Sequence, residues 1–132
     1  MKAIDTNVLA RFLVCDDSNM TERARTLFEP ARDVSEPLLV SNLVLLETFW
    51  VLRSSYDFTR AGIIDAVRNL LVLPSLTFEP HETINEFIHE ASSSNTGLAD
   101  ILIGVHAKVA AAETTMTFDV KTSKCKLFTE IL

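Results

Sequence analysis

Four acidic residues are placed where their carboxylates could act together on one substrate. They are Asp5, Glu47, Asp100 and Asp119. Carboxylate oxygens are ligands that Mg²⁺ prefers, and a bound divalent ion can polarise a phosphodiester and activate a water molecule. Gathered around one or two such ions, the four acids would form a metal-dependent hydrolytic site.

Two of these acids come directly after predicted strands. Asp5 follows the short apolar segment 2–4, and Asp119 follows the segment 114–118. In an open parallel α/β sheet, the ligand crevice lies outside the carboxyl ends of the strands. Either acid alone could simply cap the start of a helix. Two acids at equivalent strand ends favour a shared functional site.

Glu47 interrupts a strongly apolar segment, Leu43 to Leu52. The segment predicts a helix that is apolar on nearly every side, which is typical of a buried helix. A buried carboxylate is costly unless a cation compensates its charge. The cation could be Arg11 or Arg53 in a structural ion pair, or it could be a metal ion.

Asp100 opens a predicted helix over 98–112, whose following residues are apolar. The helix dipole favours a carboxylate in this first turn in any case, while the apolar residues suit a ligand aimed into a pocket. Four carboxylates that converge without a basic partner repel one another, and a hard divalent cation removes that repulsion. The three histidines show no zinc-type spacing and no catalytic pairing; they are His81, His89 and His106.

Strands alternate with helices along the chain. The predicted strands cover 2–4, 37–40, 76–78 and 114–118, with a further one near 127–128, and the predicted helices cover 6–14, 21–30, 41–53, 59–71, 80–91 and 98–112. Such alternation favours an α/β fold with a parallel sheet covered on both faces. We find no internal repeat, so we expect one domain over residues 1–132.

Composition indicates a globular chain with its own hydrophobic core. The sequence has 132 residues, of which 48% are hydrophobic. The longest apolar stretch is shorter than the roughly 20 residues of a membrane span, and the start does not resemble a signal peptide. Cys15 and Cys125 have no metal-type spacing, so we expect two free thiols in a cytoplasmic protein.

The net charge of −6 permits a nucleic-acid substrate without indicating one. The candidates for contacts with phosphate or with a protein partner are Arg11, Arg53, Lys108, Lys121 and Lys124. Glu82, Glu86 and Glu90 recur at four-residue spacing, which predicts a solvated helix face.

Four segments of the chain together resemble the PIN domain, and more narrowly the VapC-type ribonuclease toxins of toxin–antitoxin pairs. They are Ile4–Leu9, Leu45–Leu52, Leu98–Ile103 and Thr117–Asp119, and they occur in the family order over essentially the whole chain. The resemblance implies a PIN-like three-layer sandwich, with a central parallel sheet of four to five strands and helices on both faces. It also implies a Mg²⁺-dependent or Mn²⁺-dependent endoribonuclease, a homodimer and inhibition by a small antitoxin.

By this resemblance, Asp5 and Asp100 are metal ligands, and Glu47 and Asp119 complete the acidic cluster. Thr117 would position a ligand or a water molecule, or have a structural role. The sequence departs from the family at Gly97, where many relatives carry a further acidic residue. We therefore expect a second metal ion to bind more weakly here.

Two other functions are compatible with parts of the pattern. The chain could be a non-catalytic PIN-fold binding module that acts with its antitoxin in a DNA-binding regulatory complex. A phospho-receiver-like domain also uses acids at strand ends, but it needs an acidic pair where this chain has Asp5-Thr6-Asn7. RNA cleavage that requires Mg²⁺ would separate the nuclease from both alternatives.

Overall fold

The computed structural model describes residues 1–14, 22–23 and 36–132. Helices alternate with short strands along these ranges. The elements are β1 (Lys2–Ala3), α1 (Thr6–Val14), β2 (Leu38–Ser41), α2 (Asn42–Tyr56), α3 (Arg60–Leu71), β3 (Leu76–Glu79), α4 (His81–Ser93), α5 (Leu98–Val109), β4 (Thr115–Thr117), a 3₁₀ helix (Thr122–Lys124) and β5 (Phe128–Glu130). Most of the helix predicted over 21–30, and the thiol of Cys15, fall outside the described residues.

The chain forms two compact units, and the first covers Met1–Glu79. Its three strands form a parallel sheet in the order β1-β2-β3, with Lys2 opposite Leu38 and Leu38 opposite Leu76. The Ile4 amide donates to the Leu39 carbonyl at 3.1 Å, so the pairing continues up to the residue before Asp5.

The predicted helix starts of the first unit are confirmed by their caps. The Ser41 hydroxyl accepts a hydrogen bond from the Val44 amide at 3.2 Å, and the Thr59 hydroxyl accepts one from the Gly62 amide at 3.0 Å. Each hydroxyl satisfies an amide that has no partner within its own helix. Local sequence therefore determines where α2 and α3 begin.

The prediction that α2 is buried on every side is wrong. Leu45, Phe49 and Leu52 are buried, whereas Leu43 is 79% exposed and Trp50 is 69% exposed. A helix packed against other elements on one side can leave an apolar stripe on its other side. Apolar composition indicates that a face can be buried, but it does not supply the element that would cover it.

The second unit covers Pro80–Leu132 and combines α4 and α5 with a two-stranded parallel sheet of β4 and β5. Helix α5 lies very close to the segment that enters β5. A Cβ atom added at Gly104 would be 2.9 Å from Phe128 Cε2 and 3.0 Å from Leu127 Cβ. Glycine at this position allows the close approach.

The predicted alternation of helices with parallel strands is confirmed. Among the described residues, the five strands form a three-stranded and a two-stranded sheet, where we expected a single sheet of four to five strands. Helix α5 ends at Val109, three residues earlier than predicted, because the backbone of Ala111 turns into the left-handed region with a φ of 71°.

The acidic side chains of α4 do not form the single solvated face that we predicted. Glu82 is exposed and Glu86 is half-buried, but Glu90 is only 6% exposed. Position 90 falls beside Phe87 and Ala91 on the buried stripe of the helix, so the backbone directs this carboxylate inward.

Within the part of the chain that the structure describes, no helix has the length and the apolar character needed to cross a membrane.

Candidate metal site

Asp5 is fixed at the start of α1. Its Oδ1 atom accepts a hydrogen bond from the Val8 amide at 3.0 Å, and its carbonyl accepts one from the Leu9 amide at 3.1 Å. Asp5 is therefore the N-cap of α1, which is the capping role that the sequence allowed for this acid. Only one carboxylate oxygen takes part in the cap, so the side chain is held in place while it stays exposed to solvent.

Asp119 has an equivalent arrangement after β4. Its Oδ1 atom accepts a hydrogen bond from the Thr122 amide at 3.0 Å, and its own amide donates to the Thr117 hydroxyl at 3.0 Å. Asp119 is exposed and stands at the start of the 3₁₀ helix. Thr117 thus holds the backbone of Asp119 in place. Of the two roles considered for this threonine, this is the structural one.

Glu47 lies on the exposed side of α2, so the predicted burial of its carboxylate is wrong. Leu43 lies four residues before it and Trp50 three residues after it, which places all three side chains along one side of the helix. Within the described residues, no hydrogen bond or ion pair joins Glu47 to Arg11 or Arg53. The structural ion pair considered for Glu47 is therefore not formed.

Asp100 occupies the first turn of α5 and is half-buried. The N-cap of this helix is Gly97, which has no side chain to bond the free amides of the first turn. A Cβ atom at position 97 would stand 3.3 Å from Asp100 Oδ2. The glycine therefore leaves space next to this carboxylate.

Two of the candidate acids belong to each compact unit. Asp5 and Glu47 lie in the first unit, and Asp100 and Asp119 lie in the second. Among the residues that the structure describes, no three His, Cys, Asp or Glu side chains are grouped closely enough to hold a metal ion. The convergence of all four acids on a shared ion stays a prediction.

The basic residues near these elements differ in their surroundings. Lys108 of α5 forms an exposed ion pair with Glu86 at 3.5 Å. At the start of α3, partial burial lowers the pKa of the Arg60 guanidinium, and the positive charge of Arg53 lowers it further. Arg53 therefore contributes positive potential near this helix start.

The donor set has the chemistry of a site for a hard cation. All four candidate ligands are carboxylates, and oxygen ligands with several retained waters are what Mg²⁺ and Mn²⁺ prefer. Each carboxylate is exposed or half-buried, so each can be reached from solvent. These residues fit a divalent metal ion by their chemistry and their accessibility.

Sequence reasoning missed the burial of Glu90, although a signal for it was present. The apolar residues of α4 recur at three- and four-residue spacing, and position 90 falls within that stripe. The regular spacing of the three glutamates predicts a solvated face, but the apolar periodicity of the helix determines which of them is buried. The exposure of Trp50 had no comparable signal, because it depends on which elements pack against α2.

Comparison with known proteins identifies the family. The model of the PIN domain family matches residues 2–126, which is nearly the whole chain. No curated protein matches the sequence. PIN domains are typically nucleases that use divalent metal ions, and they often occur in toxin–antitoxin systems. With its α/β elements, its parallel strands and a match over residues 2–126, this chain belongs to the PIN domain family.

Proposed function

We propose that this PIN domain is a Mg²⁺-dependent endoribonuclease, with Asp5, Glu47, Asp100 and Asp119 as its acidic ligands and Mn²⁺ as a possible substitute ion. One observation supports the proposal most directly. Asp5 and Asp119 each follow a parallel strand and each use one oxygen to cap the next helix. This arrangement fixes the second oxygen in direction and leaves it available to a ligand.

The four side chains would have different roles in binding the ion, because their hydrogen bonds differ. Asp5 and Asp119 are each oriented by a hydrogen bond from a backbone amide. Glu47 and Asp100 accept no hydrogen bond from the described residues, so they can adjust to an ion and its water molecules. A bound divalent ion supplies polarisation of the phosphodiester and a water of lowered pKa. With water as the nucleophile, we expect products with 5′-phosphate and 3′-hydroxyl ends.

Two substitutions at Asp5 separate its capping role from its metal-binding role. Asp5→Asn keeps an oxygen that can accept from the Val8 amide, whereas Asp5→Ala loses the cap and should cost about 1 kcal/mol of stability. Both variants should cleave RNA at least roughly 100-fold more slowly, since a metal contributes several kcal/mol to such reactions. The measurement is cleavage of total cellular RNA with Mg²⁺ and with EDTA.

A matched control is Asp65→Asn, which removes one exposed acid of α3 that forms an ion pair with Arg68. It should leave cleavage unchanged. If the wild type cleaves RNA equally well in EDTA, or if Asp5→Asn is as active as the wild type, the proposed metal-dependent mechanism is wrong. If no RNA is cleaved under any condition, the non-catalytic binding module becomes the better explanation.

We also propose that the protein acts as a toxin in the cytoplasm, as a single domain over residues 1–132 and as a homodimer, with a small antitoxin as its inhibitor. The exposed side chains of Leu43 and Trp50 flank Glu47 and offer an antitoxin an apolar surface beside an acid. Expression of the wild type should arrest growth, whereas Asp100→Asn should not. Sedimentation equilibrium tests the dimer.

A further inference from the structure

The second unit contains a cleft, which we call the lysine cleft. It has a volume of about 520 Å³. Three lysines line it together with a polar loop and the carboxylate of Glu90; the lysines are Lys121, Lys124 and Lys126. These residues carry a formal charge of +2, three lysines against one glutamate, in a chain whose net charge is −6. The cleft therefore concentrates positive charge on an acidic protein.

Local backbone structure places two of the lysines side by side. Lys121 is the N-cap of the 3₁₀ helix, and Lys124 is its last residue. One turn of a 3₁₀ helix takes three residues, so side chains at i and i+3 point in the same direction. Lys121 and Lys124 therefore present two ammonium groups from one side of a short, capped turn.

The third lysine is held by a buried acid. Lys126 Nζ lies 3.3 Å from Glu90 Oε2, and the Glu90 side chain is only 8% exposed. The Cys125 thiol donates to the other carboxylate oxygen of Glu90 at 3.6 Å. Glu90 thus anchors Lys126 and stops this ammonium group from moving freely.

The polar loop that lines the lysine cleft supplies neutral hydrogen-bonding groups. Ser94 accepts a hydrogen bond from the Thr96 amide at 3.0 Å, and its hydroxyl lies 2.9 Å from the Thr96 hydroxyl. The exposed amide of Asn95 stands between them in the chain. Ammonium, hydroxyl and amide groups together are what a sugar–phosphate backbone requires.

Two of the candidate metal ligands adjoin this cleft along the chain. Asp119 caps the same 3₁₀ helix that carries Lys121 and Lys124. Asp100 lies in the first turn of α5, four residues after Thr96, which also lines the cleft. A strand whose scissile phosphate lies at these acids would pass its neighbouring phosphates close to the lysines.

We propose that the lysine cleft binds the backbone phosphates of single-stranded RNA that flank the cleaved bond. The inference rests on the proposed function, because it takes RNA as the substrate. Lys121 and Lys124 contact phosphates directly. Lys126 adds a third ammonium group, and Glu90 positions it.

The test measures binding of a fluorescein-labelled RNA oligonucleotide by anisotropy, in EDTA and in an Asp100→Asn background, so that no cleavage occurs. For single strands, each phosphate contact contributes a salt slope of about −0.7. At 0.1 M salt this corresponds to roughly fivefold in affinity per lysine. Lys121→Gln with Lys124→Gln should therefore weaken binding about 25-fold and reduce the slope by about 1.4.

The matched control is Lys2→Gln with Arg68→Gln, which removes two exposed cations that do not line the cleft and takes the net charge from −6 to the same −8. It should weaken binding less than threefold, because salt screens charges that make no direct contact with the RNA phosphates. Glu90→Gln keeps an oxygen that can accept from Lys126 but removes a negative charge from the cleft, so it should strengthen binding; thermal unfolding checks that the variant folds. Equal losses in both double variants would overturn the proposal.

Further arms separate the possible ligands and the two proposals. Two other ligands test whether the cleft prefers RNA: a DNA oligonucleotide of the same sequence, and inorganic phosphate. Equal affinity for DNA would overturn that preference. If the lysine variants bind RNA normally but lose binding to an acidic protein partner, the RNA assignment is wrong. Cleavage that is metal-dependent but insensitive to both lysines refutes this inference alone. Lysine-dependent RNA binding without any cleavage refutes the nuclease proposal alone.

Discussion

Gly97 shows how one residue can determine whether a neighbouring carboxylate is available to a ligand. As the N-cap of α5 it offers no side chain to the first turn, and Asp100 occupies the third helical position. A serine at position 97 would create a capping box, in which its hydroxyl bonds the Asp100 amide and the carboxylate of Asp100 bonds back to residue 97. The present glycine leaves that carboxylate available for a ligand.

We therefore expect Gly97→Ser to raise stability by a few tenths of a kcal/mol while it lowers Mg²⁺-dependent cleavage. The cause is the same in both cases, since the new cap holds Asp100 in place and the added Cβ stands 3.3 Å from its Oδ2 atom. Thermal unfolding and RNA cleavage measure the two effects. Ala99→Ser serves as the control, and a variant that gains both stability and activity would contradict the argument.

At the scale of elements, the end of α5 has an unusual residue in a common motif. The Ala111 amide donates to the Lys108 carbonyl and the Ala112 amide to the Ala107 carbonyl, both at 2.9 Å. These are the two bonds of a Schellman motif, whose left-handed residue is usually glycine. Ala111 takes that conformation with a φ of 71°, at a steric cost of roughly 1–2 kcal/mol.

Replacing this alanine with glycine should stabilise the protein. Ala111→Gly removes the steric cost but adds freedom to the unfolded chain, which leaves a net gain of about 0.5–1 kcal/mol. The measurement is urea unfolding, with Ala110→Gly as the control because residue 110 has a negative φ. A loss of stability at both positions would show that the left-handed backbone of Ala111 is not strained.

The elements also show what could be predicted from sequence. Ser41 and Thr59 cap the helices that were predicted to begin at these residues, because a cap depends only on residues within one turn. The side of α2 that carries Trp50 could not be assigned, since burial depends on elements distant in the chain. For the same reason, the sequence correctly named Asp5 and Asp119 as residues at strand ends, while their convergence with Glu47 and Asp100 is still a prediction.

At the scale of the whole molecule, the question is whether the two compact units unfold together. Gly104→Ala should destabilise the second unit by about 1–3 kcal/mol, because its methyl group would overlap Phe128 and Leu127. If residues 1–132 form one cooperative domain, amide exchange in the peptide 42–56 should accelerate as much as exchange in the peptide 98–109. Faster exchange in the second unit alone would show that the units unfold separately.

The exposed indole of Trp50 has a practical consequence at the same scale. It is the only tryptophan of the chain, it is 69% exposed, and it lies one helical turn from Glu47. Its fluorescence therefore reports the environment of a single surface site, with the long-wavelength emission and the iodide quenching expected of an indole in water. An antitoxin or a second copy of the chain that covers α2 would shift this emission to shorter wavelength. The protein thus carries an intrinsic, label-free optical probe beside one of its candidate metal ligands.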